Sequence, residues 1–185
     1  MKKITSILLI ALITISFTGC GVLQKQEYRE AASAALTLMG DNGGTLDECG
    51  RLLLNVWHNA IYEQKDKSTD KYTMKNGKFV DDFNDALDSL YSDEEFSNKL
   101  VTINDNQKEL RKLRLKLESP PKGAERFNEP LLGMIDSYIE YSNIVLNAQG
   151  SYNEVSDQIG KCNNDFGEYA NQFEAYEDEI KEFVK

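Results

Sequence analysis

The sequence predicts an all-α protein, an antiparallel bundle of five or six helices with a long C-terminal heptad helix. Three observations carry this. Apolar residues recur at spacings of three and four almost throughout residues 28–183. S/T-x-x-E signals, the Pro120-Pro121 pair, the Gly40–Gly44 cluster and Gly150 punctuate the pattern at helix-length intervals. No strand-like alternation, tandem repeat or low-complexity tract stands out between them.

The first helix is read from Tyr28, Ala32, Ala35, Leu36 and Met39, which share one face. Gly40-Asp41-Asn42-Gly43-Gly44 is expected to end it, since glycine accepts helix-terminating conformations. Thr45 and Glu48 then form a capping box that opens a second helix, with the stripe Cys49, Leu52, Leu53, Val56, Ala60 and Ile61 and with Trp57 at its edge. Lys65–Lys78 lacks periodicity and reads as a polar loop, with five lysines against Asp66 and Asp70. A short third helix follows from Phe79, Phe83, Leu87 and Leu90.

Ser92 and Glu95 suggest another box and a bend. The fourth helix carries Phe96, Leu100, Ile103, Leu110, Leu113 and Leu117. Pro120-Pro121 stops it, because proline lacks a donor and restricts the residue before it. The fifth runs from near Phe127 through Leu131, Ile135, Tyr138, Ile139 and Leu146 to Gly150. Ser151 and Glu154 cap the last, whose seam Val155, Ile159, Cys162, Phe166, Tyr169, Phe173, Tyr176, Ile180 and Phe183 alternates fours and threes. A seam this aromatic is expected to pack on its own chain, leaving a monomer, rather than to form a zipper.

The start of the chain bears on location. Lys2 and Lys3 precede an uncharged, mostly apolar run over residues 4–18, closed by Phe17-Thr18-Gly19-Cys20. As a helix the run covers about 22 Å, short of the roughly 30 Å hydrocarbon core, so a cleaved export signal is expected over a permanent span. These residues resemble a bacterial lipoprotein signal with its lipobox. The resemblance implies a signal peptide over residues 1–19, a lipidated N-terminus and short tether over 20–23, and one helical domain over 24–185. It also implies lipidation of Cys20 by acyl chains such as palmitate. Two or more chains anchor stably where one holds only marginally.

Without residues 1–19 the chain carries 19 basic and 31 acidic residues, a formal charge of −12. That balance argues against nucleic acid, and against adhesion of the domain body to anionic lipid. Cys49 and Cys162 remain as an even pair in an exported chain, a candidate disulfide closing 113 residues of sequence. Two free buried thiols are the alternative.

No catalytic site is expected. His58 is the only histidine, so zinc-protease and Glu-x-x-His di-iron motifs are missing. No Gly-x-Ser-x-Gly elbow or phosphate loop occurs, and Cys49 lies too far along its helix to touch His58. Asp81, Asp85 and Asp88 form an acidic stripe without EF-hand punctuation, and no metal or cofactor is assigned.

Val56-Trp57, Asn59-Ala60-Ile61, Asp81-Asp82-Phe83-Asn84, Pro120-Pro121, the Tyr138–Ser142 stretch and Gly150-Ser151 resemble, in order, small helical lipoproteins of low-GC Gram-positive bacteria. The resemblance implies envelope location and a helical fold, and transfers no catalytic or binding residue. The expected function is a non-enzymatic, membrane-anchored module on the extracytoplasmic face that contacts an envelope protein or cell-wall component. The alternative is a small-ligand or metal-binding bundle with a pocket lined by Tyr138, Phe166 and Tyr169.

Overall fold

The computed structural model describes residues 20–184; the side chains of Cys20 and Gly21, and the signal expected over residues 1–19, lie outside that description. The chain is an all-α bundle. In order come α1 (Cys20–Ile61), α2 (Asp70–Thr73), β1 (Met74–Lys75), β2 (Lys78–Phe79), α3 (Phe83–Tyr91), α4 (Glu94–Leu117), α5 (Glu125–Leu146), α6 (Tyr152–Glu174) and α7 (Glu177–Phe183).

The two expected N-terminal helices are one. α1 runs 42 residues without interruption, about 63 Å of helix. Gly40, Gly43 and Gly44 in its middle cost about 1 kcal/mol each relative to alanine. The buried seam repays this, because it keeps phase across them: Tyr28, Ala31, Ala35 and Met39 lie below, and Leu46, Cys49, Leu53, Val56 and Ala60 above. Asn42 occupies the gap, and its amide donates to the Leu38 carbonyl at 3.0 Å. Thr45 and Glu48 therefore sit mid-helix, and helix replaces the expected tether at residues 20–23.

α4 returns antiparallel to α1: Lys99 near its start bridges Glu48 at 2.9 Å. Its far end meets the beginning of α1 through a buried relay. Tyr28 Oη donates to Asn128 Oδ1 at 2.8 Å, and Asn128 Nδ2 donates to the Leu117 carbonyl at 3.1 Å. α5 runs back up, fixed to α4 by Gln107 donating to the Ile139 carbonyl and to Asn143. α6 descends against α5, opened by the Ser151–Glu154 capping box that the sequence predicts. For α4 the cap is Asp93 rather than Ser92, its carboxylate accepting from the Phe96 amide.

The C-terminal seam is not one helix. It breaks at Ala175-Tyr176, and α7 turns so that Phe183 meets Tyr28 edge-on at 5.9 Å and Phe127 at 5.4 Å. Val155, Ile159, Cys162, Phe173 and Ile180 are buried, while Phe166, Tyr169, Tyr176 and Phe183 are half-buried.

Nor is Lys65–Lys78 an unstructured loop. It folds into α2 and a two-stranded hairpin pairing Met74 with Phe79 and Lys75 with Lys78. The turn is Asn76-Gly77, both at positive φ (54° and 77°), as a type I′ hairpin requires. Thr69 and Thr73 are fully buried, and Asn59 on α1 donates to Thr69 Oγ1 at 2.9 Å, holding the lobe against the helix. Phe79, expected in a helix, is thereby placed in β2, and α3 begins only at Phe83, behind the Asp82 cap.

Candidate functional site

The far end of α1 gathers features that the core does not need. Here the helix stops, the hairpin lobe folds over it, and α3 and the start of α6 close the cap. Trp57 stacks on Phe83 (centroids 5.9 Å apart, planes at 24°) and meets Tyr152 edge-on at 6.3 Å. His58 packs between Tyr62 at 4.6 Å and Tyr152 at 5.7 Å. The Trp57 indole N–H is buried without a hydrogen-bond partner.

Beside this cluster lies a depression of about 410 Å³, lined by Ala60, Ile61, Glu63, Phe79, Val80, Asp81 and Phe83. Its ionisable lining is acidic only. Ile61 (41 % exposed), Tyr62 (58 %) and Phe83 (36 %) leave large apolar surface open around it.

Glu63 has an unusual backbone, with φ at +51°. The reason is the end of α1: the Gln64 amide donates back to the Asn59 carbonyl at 3.1 Å and the Tyr62 amide to the His58 carbonyl at 2.9 Å. That pattern puts Glu63 at the left-handed position where glycine is usual. An L side chain there costs roughly 1–2 kcal/mol.

Of the residues singled out in the sequence, the structure brings Trp57, His58 and Asp81 to this end. Asp85 and Asp88 face solvent on α3, while Asp93 serves as a cap and bridges Lys71 at 2.8 Å. The Lys71 ammonium, with the Phe96 amide, holds the Asp93 carboxyl below its usual range. Among the described residues no group of three or more His, Cys, Asp or Glu is placed to hold a metal. The aromatics expected to line an interhelical pocket are engaged in packing. Tyr138 is buried, and the Tyr169 ring lies over Gly133, 2.6 Å from where a Cβ would stand.

Sequence reading missed Glu63, Phe79 and Val80 as site residues. Asn76-Gly77 was the available signal for the hairpin; nothing local marks Glu63.

Cys49 and Cys162 are free and buried. Burial pushes each thiol from 9.0 up to about 11, and likewise pushes the Tyr138 and Tyr141 phenols from 10.0 up to about 12. The folded chain keeps these protons to higher pH than the unfolded chain does. Their contribution is therefore complete below about pH 9 and is lost as pH rises toward 11–12. Urea midpoints measured at pH 8 and pH 10.5 should fall at the higher value, and the native thiols should resist iodoacetamide at pH 8 until the chain is denatured. Equal midpoints would contradict this assignment.

No family model, no curated protein and no solved structure matches the chain. No helix among the described residues is long and apolar enough to cross a membrane. The class defined by fold and site is thus an all-α bundle with a capped end carrying an open depression of mixed apolar and acidic lining.

Proposed function

We propose that this protein is a lipid-anchored envelope protein on the extracytoplasmic face of the cell membrane. It acts as a non-enzymatic interaction module for another envelope protein. The anchor is lipid on Cys20, and the contact surface is the capped end of the bundle. One observation supports this above the rest: a single 42-residue helix joins Cys20 to Ile61, at the edge of the depression. A rod of about 63 Å would hold the depression at the end opposite a lipid on Cys20, away from the membrane surface. The lipid supplies position and local concentration, and the exposed Ile61, Tyr62 and Phe83 supply contact area.

The test is crosslinking in intact cells expressing wild-type protein or an exported Cys20→Ser variant. Wild type should fractionate with membranes and yield a discrete crosslinked species. The variant should leave the membrane fraction and lose that species. A Cys20→Ser protein that remains at the membrane with its crosslink intact would overturn the anchored reading.

A further inference from the structure

The acidic rim of the depression specifies the partner more narrowly. We propose that it docks a peptide segment in which an apolar side chain stands next to a lysine or arginine. The apolar group enters between Ile61, Phe79, Val80 and Phe83, and the cation is held by the carboxylates of Glu63 and Asp81. This deepens the protein-contact reading given above and rests on it.

Two independent observations converge. The first is chemical complementarity: an open hollow of mixed character, with Ile61, Phe79, Val80 and Phe83 beside two acidic residues and no basic residue in the lining. A cation paired with carboxylates at a partly desolvated site forms charge-assisted hydrogen bonds stronger than neutral ones. The second is Glu63 itself. It occupies a left-handed position, φ +51°, that folding alone would give to glycine. The hydrogen bonds that close α1 hold the backbone there, and the Glu63 side chain makes no salt bridge among the described residues. Glycine would meet that backbone at lower cost but would remove a carboxylate from the lining of the depression.

Lys65, Lys67, Lys71, Lys75 and Lys78 lie in the neighbouring lobe, and none of them lines the depression. Lys71 is bound to Asp93, and Lys75 and Lys78 pair across the exposed tip of the hairpin. None of them fills the acidic rim.

The chain carries one tryptophan, Trp57, stacked on the Phe83 that lines the depression, so its fluorescence reports occupancy. The lipidated chain in nanodiscs of zwitterionic lipid would be titrated with capped Gly-Ser-Leu-Arg-Leu-Ser-Gly and with versions carrying Gln or Glu for Arg. Empty nanodiscs serve as the blank. Saturable binding of the Arg peptide is expected, weakened about tenfold by Gln and abolished by Glu. Glu63→Gly and Asp81→Asn should each weaken the Arg peptide by about the same factor. Asp157→Asn, on the exposed face of α6, should not.

Glu63→Gly also separates binding from folding. It should hold or raise Tm, by about 2–4 °C, while binding falls. Equal binding of all three peptides, unchanged affinity in Glu63→Gly, or no saturable binding would each overturn the proposal. Failure of the anchored reading shows instead in the cell fractionation of Cys20→Ser and in a chain that does not enter nanodiscs, in which case the same titration is run on the chain in solution.

Discussion

Asn128→Ala is expected to destabilise the bundle by about 3 kcal/mol. Asn128 joins three helices with one side chain. It accepts from Tyr28 on α1 and donates to the carbonyl of Leu117, the last residue of α4. The final carbonyls of a helix have no partner within it, and here the side-chain amide supplies one. Alanine leaves the Tyr28 hydroxyl and the Leu117 carbonyl without this partner, each at roughly 1–3 kcal/mol when buried. Tyr28 is 3 % exposed and Leu117 fully buried, so water does not readily substitute. Burial also raises the Tyr28 phenol well above its ordinary value, so it remains a donor across the working pH range. Urea unfolding of Asn128→Ala, Tyr28→Phe and the double variant would check the relay. The double variant should cost less than the sum of the singles, because both remove the same bond. Strict additivity would show that the relay is not a coupled unit.

Gly50→Ala should cost about 2 kcal/mol, against the usual gain of alanine over glycine in a helix. A Cβ at residue 50 would stand 2.1 Å from Tyr141 Oη and 2.8 Å from its ring. Tyr141 is 5 % exposed in the α5 wall of the core, so the ring cannot swing into solvent. Overpacking of this kind costs about 1–3 kcal/mol, and helix propensity returns at most about 1. The expected thermal shift is a fall of about 4–8 °C. Tyr141→Phe discriminates the cause. Its hydroxyl is buried without a partner, so removing it should be neutral or stabilising alone, and should restore part of the stability lost in Gly50→Ala. A Gly50→Ala protein as stable as wild type would mean that α1 and α5 separate at little cost.

Much of the fold was legible locally. Pro120-Pro121 marks the end of α4, and Ser151 with Glu154 marks the start of α6, because each acts on its own backbone neighbours. The misread places are those where a nonlocal term outweighs a local one. Gly40, Gly43 and Gly44 look like a terminator, yet Met39 and Leu46 are buried on either side in one continuous register. The heptad from Val155 to Phe183 looks unbroken, yet the chain turns at Ala175 so that Phe183 reaches Tyr28 and Phe127. Lys65–Lys78 looks featureless because its anchor lies outside it, in Asn59 and the buried Thr69. Asn76-Gly77 was a readable hairpin signal set between lysines rather than between alternating apolar residues.

The candidate site was less legible still. Trp57 and Asp81 stand out in the sequence, but the depression needs Ile61 and Glu63 from the end of α1 and Phe79 to Phe83 from beyond the hairpin. By itself the sequence determined the helical class, most helix limits, the acidic balance and the expectation of lipid on Cys20. These depend on composition, on short-range periodicity and on the reach of a side chain to its own backbone. Only the tertiary structure decided that α1 is one rod, that the C-terminal seam divides, and that a left-handed glutamate lines a depression with Phe79 and Phe83. Local preferences are worth about 1 kcal/mol per residue, and packing between helices distant in sequence sums to several times that.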